Sequence, residues 1–104
     1  MSPREMLNSI ELKLKELNFQ DRDECFGIRV NKFSVSEHRT PMGFSAYVTV
    51  SYWLSETKWI SVCGRVSDHG KTNLEGITHF IHTAKDMDKF IADIQKLQVQ
   101  KKGG

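Results

Sequence analysis

The chain has 104 residues, of which 38% are hydrophobic and 27% are charged. This length and balance are typical of one soluble globular domain, and they exclude a chain that is disordered throughout. The net charge is only +2, from 15 basic and 13 acidic residues that are well mixed. A global field of the kind that drives non-specific binding to nucleic acid or membranes is therefore excluded, while local patches are not.

The sequence predicts a cytoplasmic protein. The first residues, which include Pro3, Arg4 and Glu5, lack the apolar segment of a signal peptide. No stretch approaches the ~18 to 20 apolar residues that cross a bilayer, so we expect no membrane partner. Cys25 and Cys63 are expected to be thiols in such a compartment, although a bridge between them stays open.

The N-terminal segment is typical of a helix over residues 3–17. Ser2 can cap it, and Glu5 stands where the reciprocal acid of a capping box belongs. Its apolar face is expected to consist of residues at helical spacing, namely Leu7, Ile10, Leu14 and Leu17. Asn18 is a suitable left-handed terminator, and residues 20–24 are predicted to be a connection.

A first strand is predicted over residues 25–35, with a change of phase inside it. One phase contains Phe26, Ile28 and Val30, and the other contains Phe33 and Val35. A bulge near Asn31 and Lys32 would reconcile the two phases. The polar segment 36–43 is predicted to be a loop.

Two facing strands, 44–54 and 59–66, carry the most informative pattern in the chain. Alternate positions of both strands are apolar, as in strands with one buried face. A hairpin register in which Trp53 lies opposite Trp59 satisfies both faces at once, and a slip by one residue would invert every side chain. The pairs expected in this register are Val50 with Val62, Tyr52 with Ile60, Ser51 with Ser61, and Tyr47 with Arg65.

The rest of the chain is predicted to contain a polar loop over 67–76, a short strand over 77–82 and a closing helix. Thr83 and Asp86 are the second capping signal. The apolar stripe of the helix is expected to be Met87, Phe90, Ile91, Ile94 and Leu97.

The order of elements is therefore α-β-β-β-β-α. It predicts an α+β two-layer sandwich, in which N-terminal and C-terminal helices pack on one face of a four-stranded antiparallel sheet. The domain is expected to span residues 1–98 and to be followed by a flexible basic tail over 99–104. The second face of the sheet would then stay open unless a partner or a second copy covers it.

Large aromatic side chains are expected on that open face, and they predict a small non-enzymatic protein-binding module that acts stoichiometrically, as an adaptor or inhibitor. Small inhibitors such as the anti-defence and immunity proteins of phages and mobile elements have the same general character. The expected partner-binding residues are Tyr47, Trp53, Lys58, Trp59 and Arg65. The competing interpretation is purely local, because Trp53 and Trp59 can stabilise the hairpin as a cross-strand pair and Tyr47 can stack with Arg65.

Two other functions use the same surface. Aromatic side chains on a sheet can stack with the bases of single-stranded nucleic acid, although few basic residues accompany them here. The same aromatics would also suit a homodimer interface in a self-associating structural subunit.

Enzymatic activity is not predicted, and neither is a metal site or a cofactor. His79 and His82 are three residues apart on a predicted strand, so they would point to opposite faces rather than at one ion. The spacing of the histidines and cysteines resembles no zinc site. The segment 68–72 departs from a phosphate-binding loop by one position and is interpreted as a turn.

Overall fold

The computed structural model describes residues 2–41, 43–67 and 79–103. Two helices and five strands follow one another in the order α1 (Pro3–Glu16), β1 (Gln20–Asp21), β2 (Lys32–Thr40), β3 (Gly43–Trp53), β4 (Trp59–Ser67), β5 (His79–Ile81) and α2 (Ala84–Gly103). The α+β class is thus as predicted. Among these elements, neither helix is long and apolar enough to cross a membrane.

The five strands form one mixed sheet with the spatial order β1-β2-β3-β4-β5. The three long strands, β2 to β4, are antiparallel to one another. The short edge strands are parallel to their neighbours, β1 to β2 and β5 to β4. The prediction of four strands, all antiparallel, was therefore wrong.

Strand β1 was not predicted, and β5, which lies within the predicted strand 77–82, was not predicted to be parallel to its neighbour. Strand β1 has only two polar residues, and it is held by its backbone: the Gln20 N–H donates to the Asn31 carbonyl at 3.0 Å and the Arg22 N–H donates to the Phe33 carbonyl at 2.8 Å. Strand β5 can be parallel to β4 because residues 68–78 separate them, close to the dozen residues that a crossover needs. The predicted loop 67–76 and the start of the predicted strand 77–82 fall mostly on 68–78, outside the described residues.

The first long strand was predicted in the wrong place. Strand β2 begins at Lys32, so residues 25–31 are a loop and no bulge is needed. It then runs through Thr40, across most of the predicted loop 36–43. Residues 36–40 are polar on both faces of the strand. The inward Glu37 is half-exposed, and its carboxylate forms an ion pair with Arg4 of α1. The Arg4 guanidinium also lies 4.7 Å from the Phe44 ring centre.

Both helices begin as their sequences predict. At α1 the Glu5 N–H donates to the Ser2 hydroxyl at 3.1 Å while the Glu5 carboxylate accepts from the Ser2 N–H at 3.2 Å. Asn18 follows the helix with φ of 70°, the left-handed conformation expected of a terminator. Helix α2 continues to Gly103, beyond the predicted end near residue 98. The flexibility of 99–104 stays a prediction.

Both helices lie on one side of the sheet and share its core. The predicted apolar stripes are confirmed, since nearly all of their residues are buried or packed against the buried cluster. On the sheet, the alternate β3 positions Ala46, Val48, Val50 and Tyr52 face this core. Gly64 of β4 allows α2 a close approach, because a Cβ atom added there would lie 3.0 Å from both Phe90 Cε1 and Ile81 Cδ1.

Candidate binding surface on the open sheet face

The opposite side of the sheet presents the outward positions of β2, β3 and β4, which we call the open face. Side chains alternate along each strand, so these are the residues between the core-facing ones. The open face consists of Lys32, Ser34, Ser36, His38, Ser45, Tyr47, Thr49, Ser51, Trp53, Trp59, Ser61, Cys63, Arg65 and Ser67. The register predicted for the hairpin is confirmed at every pair named above.

The tryptophan end of the open face is the more accessible end. Trp53 and Trp59 are cross-strand partners whose ring centres lie 6.3 Å apart at an interplanar angle of 42°. The Trp59 side chain is 54% exposed, whereas Trp53 is half-buried. By contrast, Ser45 and Ser67 at the far end of the face are buried. Trp59 is therefore an exposed large hydrophobic side chain on the open face.

Short loops fix this end of the sheet. The Trp53 N–H donates to the Asn31 side-chain oxygen at 2.8 Å, which fastens the loop before β2 to the end of β3. Across the hairpin turn, the Leu54 N–H donates to the Lys58 carbonyl at 2.9 Å and the Lys58 N–H donates to the Ser55 hydroxyl at 3.2 Å. Lys58 is exposed beside Trp59 in sequence, so one cation accompanies the aromatic pair.

The other predicted binding residues form a separate group. The Arg65 guanidinium lies 5.8 Å from the Tyr47 ring centre, and the His38 ring meets Tyr47 edge-on at 5.4 Å. Tyr47 precedes Trp53 by six positions on β3, which is about 20 Å at ~3.3 Å per residue. The five predicted residues therefore make two groups, Trp53, Lys58 and Trp59 at one end and Tyr47 with Arg65 farther along.

Small side chains cover the area between the two groups. This middle section contains Ser34, Thr49, Ser51, Ser61 and Cys63. The Thr49 hydroxyl donates to the Cys63 sulfur at 3.9 Å, and no disulfide joins Cys63 to Cys25. Small side chains, most of them polar, therefore separate the aromatic residues at the two ends of this section.

Two exposed apolar residues lie on the loop before β2, which is bonded to the tryptophan end of the sheet through Asn31. Phe26 and Ile28 are 93% and 85% exposed on the loop between β1 and β2. The sequence predicts a strand here, with these residues on the opposite phase to Phe33 and Val35, but β2 begins only at Lys32. The change of phase near Asn31 could have indicated this in the sequence, because it separates Phe26 and Ile28 from the apolar residues of β2. Exposed apolar side chains of this size on one loop are unusual in a free surface.

The charge of the open face is one-sided. Its formally charged residues are the cations Lys32 and Arg65, and none of the outward positions of β2 to β4 is an aspartate or glutamate. The chain has 13 acidic residues, so their absence from this face is a local feature rather than a consequence of composition.

Metal-binding side chains do not cluster in the described part of the chain. Over residues 2–41, 43–67 and 79–103, no group of three or more histidine, cysteine or acidic side chains is placed to hold a metal ion. Comparison of the chain with protein-family models, curated proteins and solved structures finds no match. The function must therefore be argued from the surface itself.

Proposed function

We propose that this protein is a small non-enzymatic binding module that engages an acidic surface of a partner protein stoichiometrically, as an adaptor or inhibitor. The contact would be made by the tryptophan end of the open face, with Trp59 as its anchor. Trp53 supports Trp59 from below, and Lys58 and Arg65 supply the charge that sets register on the partner. The role of Tyr47 would be to hold Arg65 in place.

One observation carries this proposal: a tryptophan that is 54% exposed stands on the sheet face that neither helix covers. Burial of an aromatic side chain yields more free energy than burial of most others, and Trp, Tyr and Arg dominate binding hot spots. The hairpin explains why Trp53 and Trp59 face each other. It does not account for the exposed half of Trp59, which only an external contact would bury.

The partner is inferred to be acidic because the open face contains cations and no carboxylates. A two-fold dimer would bring two copies of the same face together, and like charges would then meet. Self-association through this face is therefore the least favoured of the three functions. We expect a monomer in solution.

A second candidate, binding of single-stranded nucleic acid, has one specific observation in its favour. The same face combines Trp53, Trp59 and Tyr47 with cations, which is the combination that stacks bases and neutralises phosphates. The exposed pair Phe26 and Ile28 favours a protein instead, because aliphatic and apolar loop residues match an apolar protein surface better than a phosphate backbone.

The test is a capture experiment with two matched variants. Wild type, Trp59→Ala and Leu12→Ala would be immobilised and exposed to lysate of the source organism, and the captured proteins quantified by mass spectrometry. Leu12 is 63% exposed on α1 and so controls for loss of an exposed apolar side chain on the helical side of the molecule. The partner is then purified and its affinity measured for all three chains.

We expect Leu12→Ala to bind like wild type and Trp59→Ala to lose ~2 kcal/mol or more, at least a thirtyfold weaker Kd. Equal binding by all three chains would overturn the proposal. Nuclease treatment and a salt series separate the second candidate, because release of counterions makes nucleic-acid binding fall steeply with salt. Loss of the captured protein after nuclease treatment would favour nucleic acid.

A further inference from the structure

A cavity of about 220 Å³ opens on the sheet beside the tryptophan end, and cationic and hydroxyl-bearing residues contribute to its lining. The residues around it are Arg22, Lys32, Phe33, Ser34, Thr49 and Ser51. Two of the six side chains are cationic and three carry hydroxyls, whereas none is acidic. This set of donors is what an anion requires.

The backbone explains how the two cations come together. Lys32 is the first residue of β2 and lies opposite Ser51 of β3, while Ser34 lies opposite Thr49 in the next outward row. Arg22 follows β1 directly, and its N–H donates to the Phe33 carbonyl at 2.8 Å. That bond holds the start of the loop against β2, so the guanidinium reaches the cavity from the edge of the sheet.

Neither cation is committed to a carboxylate. Asp21 and Asp23 flank Arg22 in sequence, but Asp21 Oδ1 accepts a hydrogen bond from the Asp23 N–H at 3.0 Å and lies across from the inward Phe33. Within the described residues, no ion pair involves Arg22 or Lys32. The half-buried Lys32 is thus held beside Arg22 without a counter-charge from the protein, an arrangement that a bound anion would stabilise.

The volume and the charge identify the class of anion. Drug-sized ligands occupy roughly 300 to 1,000 Å³, so this cavity suits a single chemical group rather than a whole cofactor. A phosphate monoester carries about −1.5 to −2 charges at neutral pH and offers three acceptor oxygens. Two cations balance that charge, and the Ser34 and Ser51 hydroxyls add donors from other directions. A phosphodiester or a carboxylate would satisfy only half of the positive charge.

We propose that the cavity is a binding site for a phosphate monoester dianion, held by Arg22 and Lys32 with Ser34 and Ser51. The dianion is the shared chemistry of free phosphate, a phosphorylated small molecule and a phosphorylated side chain. This site goes beyond the binding function proposed above, with which it shares Lys32.

The experiment is a titration of the full 15N-labelled chain followed by amide chemical shifts. The probes are inorganic phosphate, phosphoserine and dimethyl phosphate, each at pH 7.5 and at an ionic strength matched with sodium chloride. We expect saturable shifts centred on Ser34 and Ser51 for the first two probes, and binding at least fivefold weaker for the monoanionic diester. Equal affinity for phosphate and phosphoserine would identify the phosphate group alone as the ligand. Tighter binding of phosphoserine would identify a phosphorylated side chain as its source.

Variants locate the effect. Arg22→Gln and Lys32→Gln should each weaken phosphate binding roughly five- to tenfold. Each change removes one charge-assisted contact, whose strength is reduced by exposure to solvent. Lys15→Gln, an exposed cation on α1, should bind phosphate like wild type. Each variant's melting temperature in chloride verifies that it is folded.

Two results would overturn the proposal. One is a set of shifts that does not saturate and is the same in all the variants, which would mean screening by salt. The other is a diester that binds as tightly as the monoester. Trp59→Ala should retain phosphate binding in full, so failure of the site and failure of the partner-binding proposal are separate outcomes.

Discussion

The two faces of strand β3 differ in what determines their side chains. On one face Ala46, Val48, Val50 and Tyr52 are buried beneath the two helices. On the other, Tyr47, Thr49, Ser51 and Trp53 lie on the open face and none of them is fully buried. The backbone is the same for both faces, so the contrast comes from their surroundings. One face packs against the two helices and the other does not.

The buried face is explained by the fold itself. Each of its side chains contributes by leaving water, at about 25 cal/mol for every Å² of apolar surface, and substitutions there should change stability. The open face is different, since its aromatics are partly exposed and its middle section is covered by small hydroxyl-bearing residues. Substitutions there should change binding while the free energy of unfolding moves little. This distinction can be tested with pairs of chemically identical substitutions.

The largest contrast is expected between two phenylalanines. Phe90 is fully buried between α2 and the sheet, whereas Phe26 is 93% exposed. We expect Phe90→Ala to lower the free energy of unfolding by ~3 to 5 kcal/mol, because it leaves a cavity in the core. Phe26→Ala should change it by less than ~0.5 kcal/mol. Urea denaturation of both variants measures the difference, and similar losses in the two would show that the loop tip is buried in solution.

A smaller effect is expected at Gly64, where the buried face is most tightly packed. Alanine normally costs less entropy than glycine in a strand, but its Cβ would lie 3.0 Å from Phe90 Cε1 and Ile81 Cδ1. We expect Gly64→Ala to destabilise the protein by ~1 to 3 kcal/mol through overpacking.

Ile81→Val supplies the control for Gly64→Ala, because valine lacks the Cδ1 atom that the new methyl group would meet. In a double-mutant cycle by urea denaturation, the two changes together should cost less than the sum of their separate costs. Strict additivity would mean that the close approach at Gly64 is not what resists a side chain there.

The same contrast between faces explains what could be predicted from sequence. The helix caps, the apolar stripes and the β3–β4 register all depend on local spacing or on a buried face, and each of them was predictable. Strand β1 was not, because it has two polar residues and is held by backbone bonds that no side-chain pattern records. Strand β5 was expected within 77–82, but its parallel pairing with β4 was not. Strand β2 was misplaced since Phe26 and Ile28 look like strand residues, although both are exposed on the loop before β2.

The candidate site was predictable only in part. Alternation along β3 and β4 placed Tyr47, Trp53, Trp59 and Arg65 on the outward side, and the structure agrees. It could not show that these residues divide into two groups about 20 Å apart. Nor could it show that Arg22 and Lys32 line one cavity, because that placement depends on the parallel pairing of β1 with β2.

An intermediate effect is expected for the tryptophan pair on the open face. Trp59→Ala removes a cross-strand partner of Trp53, which is worth up to ~1 kcal/mol of stability, and leaves the core intact. Urea denaturation should therefore show a loss no larger than that, with an unchanged m-value. A loss of ~3 kcal/mol or more would assign Trp59 to the fold and would remove the basis for a binding role.

The smallest effect tests a charge at the start of α2 rather than an apolar face. The Asp86 carboxylate accepts hydrogen bonds from the His82 and Thr83 N–H groups, both at 3.1 Å. The bond from His82 is the main reason that the pKa of Asp86 lies below its ordinary value of 3.8, and partial burial opposes it. Because the folded pKa is the lower one, the stabilisation is complete above 3.8 and is lost as the pH falls through the folded value.

We expect Asp86→Ala to lose about 0.5 to 1 kcal/mol at pH 7, the lower part of the range for helix caps, since this carboxylate is largely exposed. The loss should shrink below pH 3.8 as the wild-type carboxyl is protonated. Thermal unfolding of both chains between pH 2.5 and 7 measures it, and Asp88→Ala, an exposed acid on the same helix, is the control. The difference in stability between Asp86→Ala and wild type could instead stay constant down to pH 2.5. That result would show that the substitution removes packing contacts rather than the hydrogen bonds of a charged carboxylate.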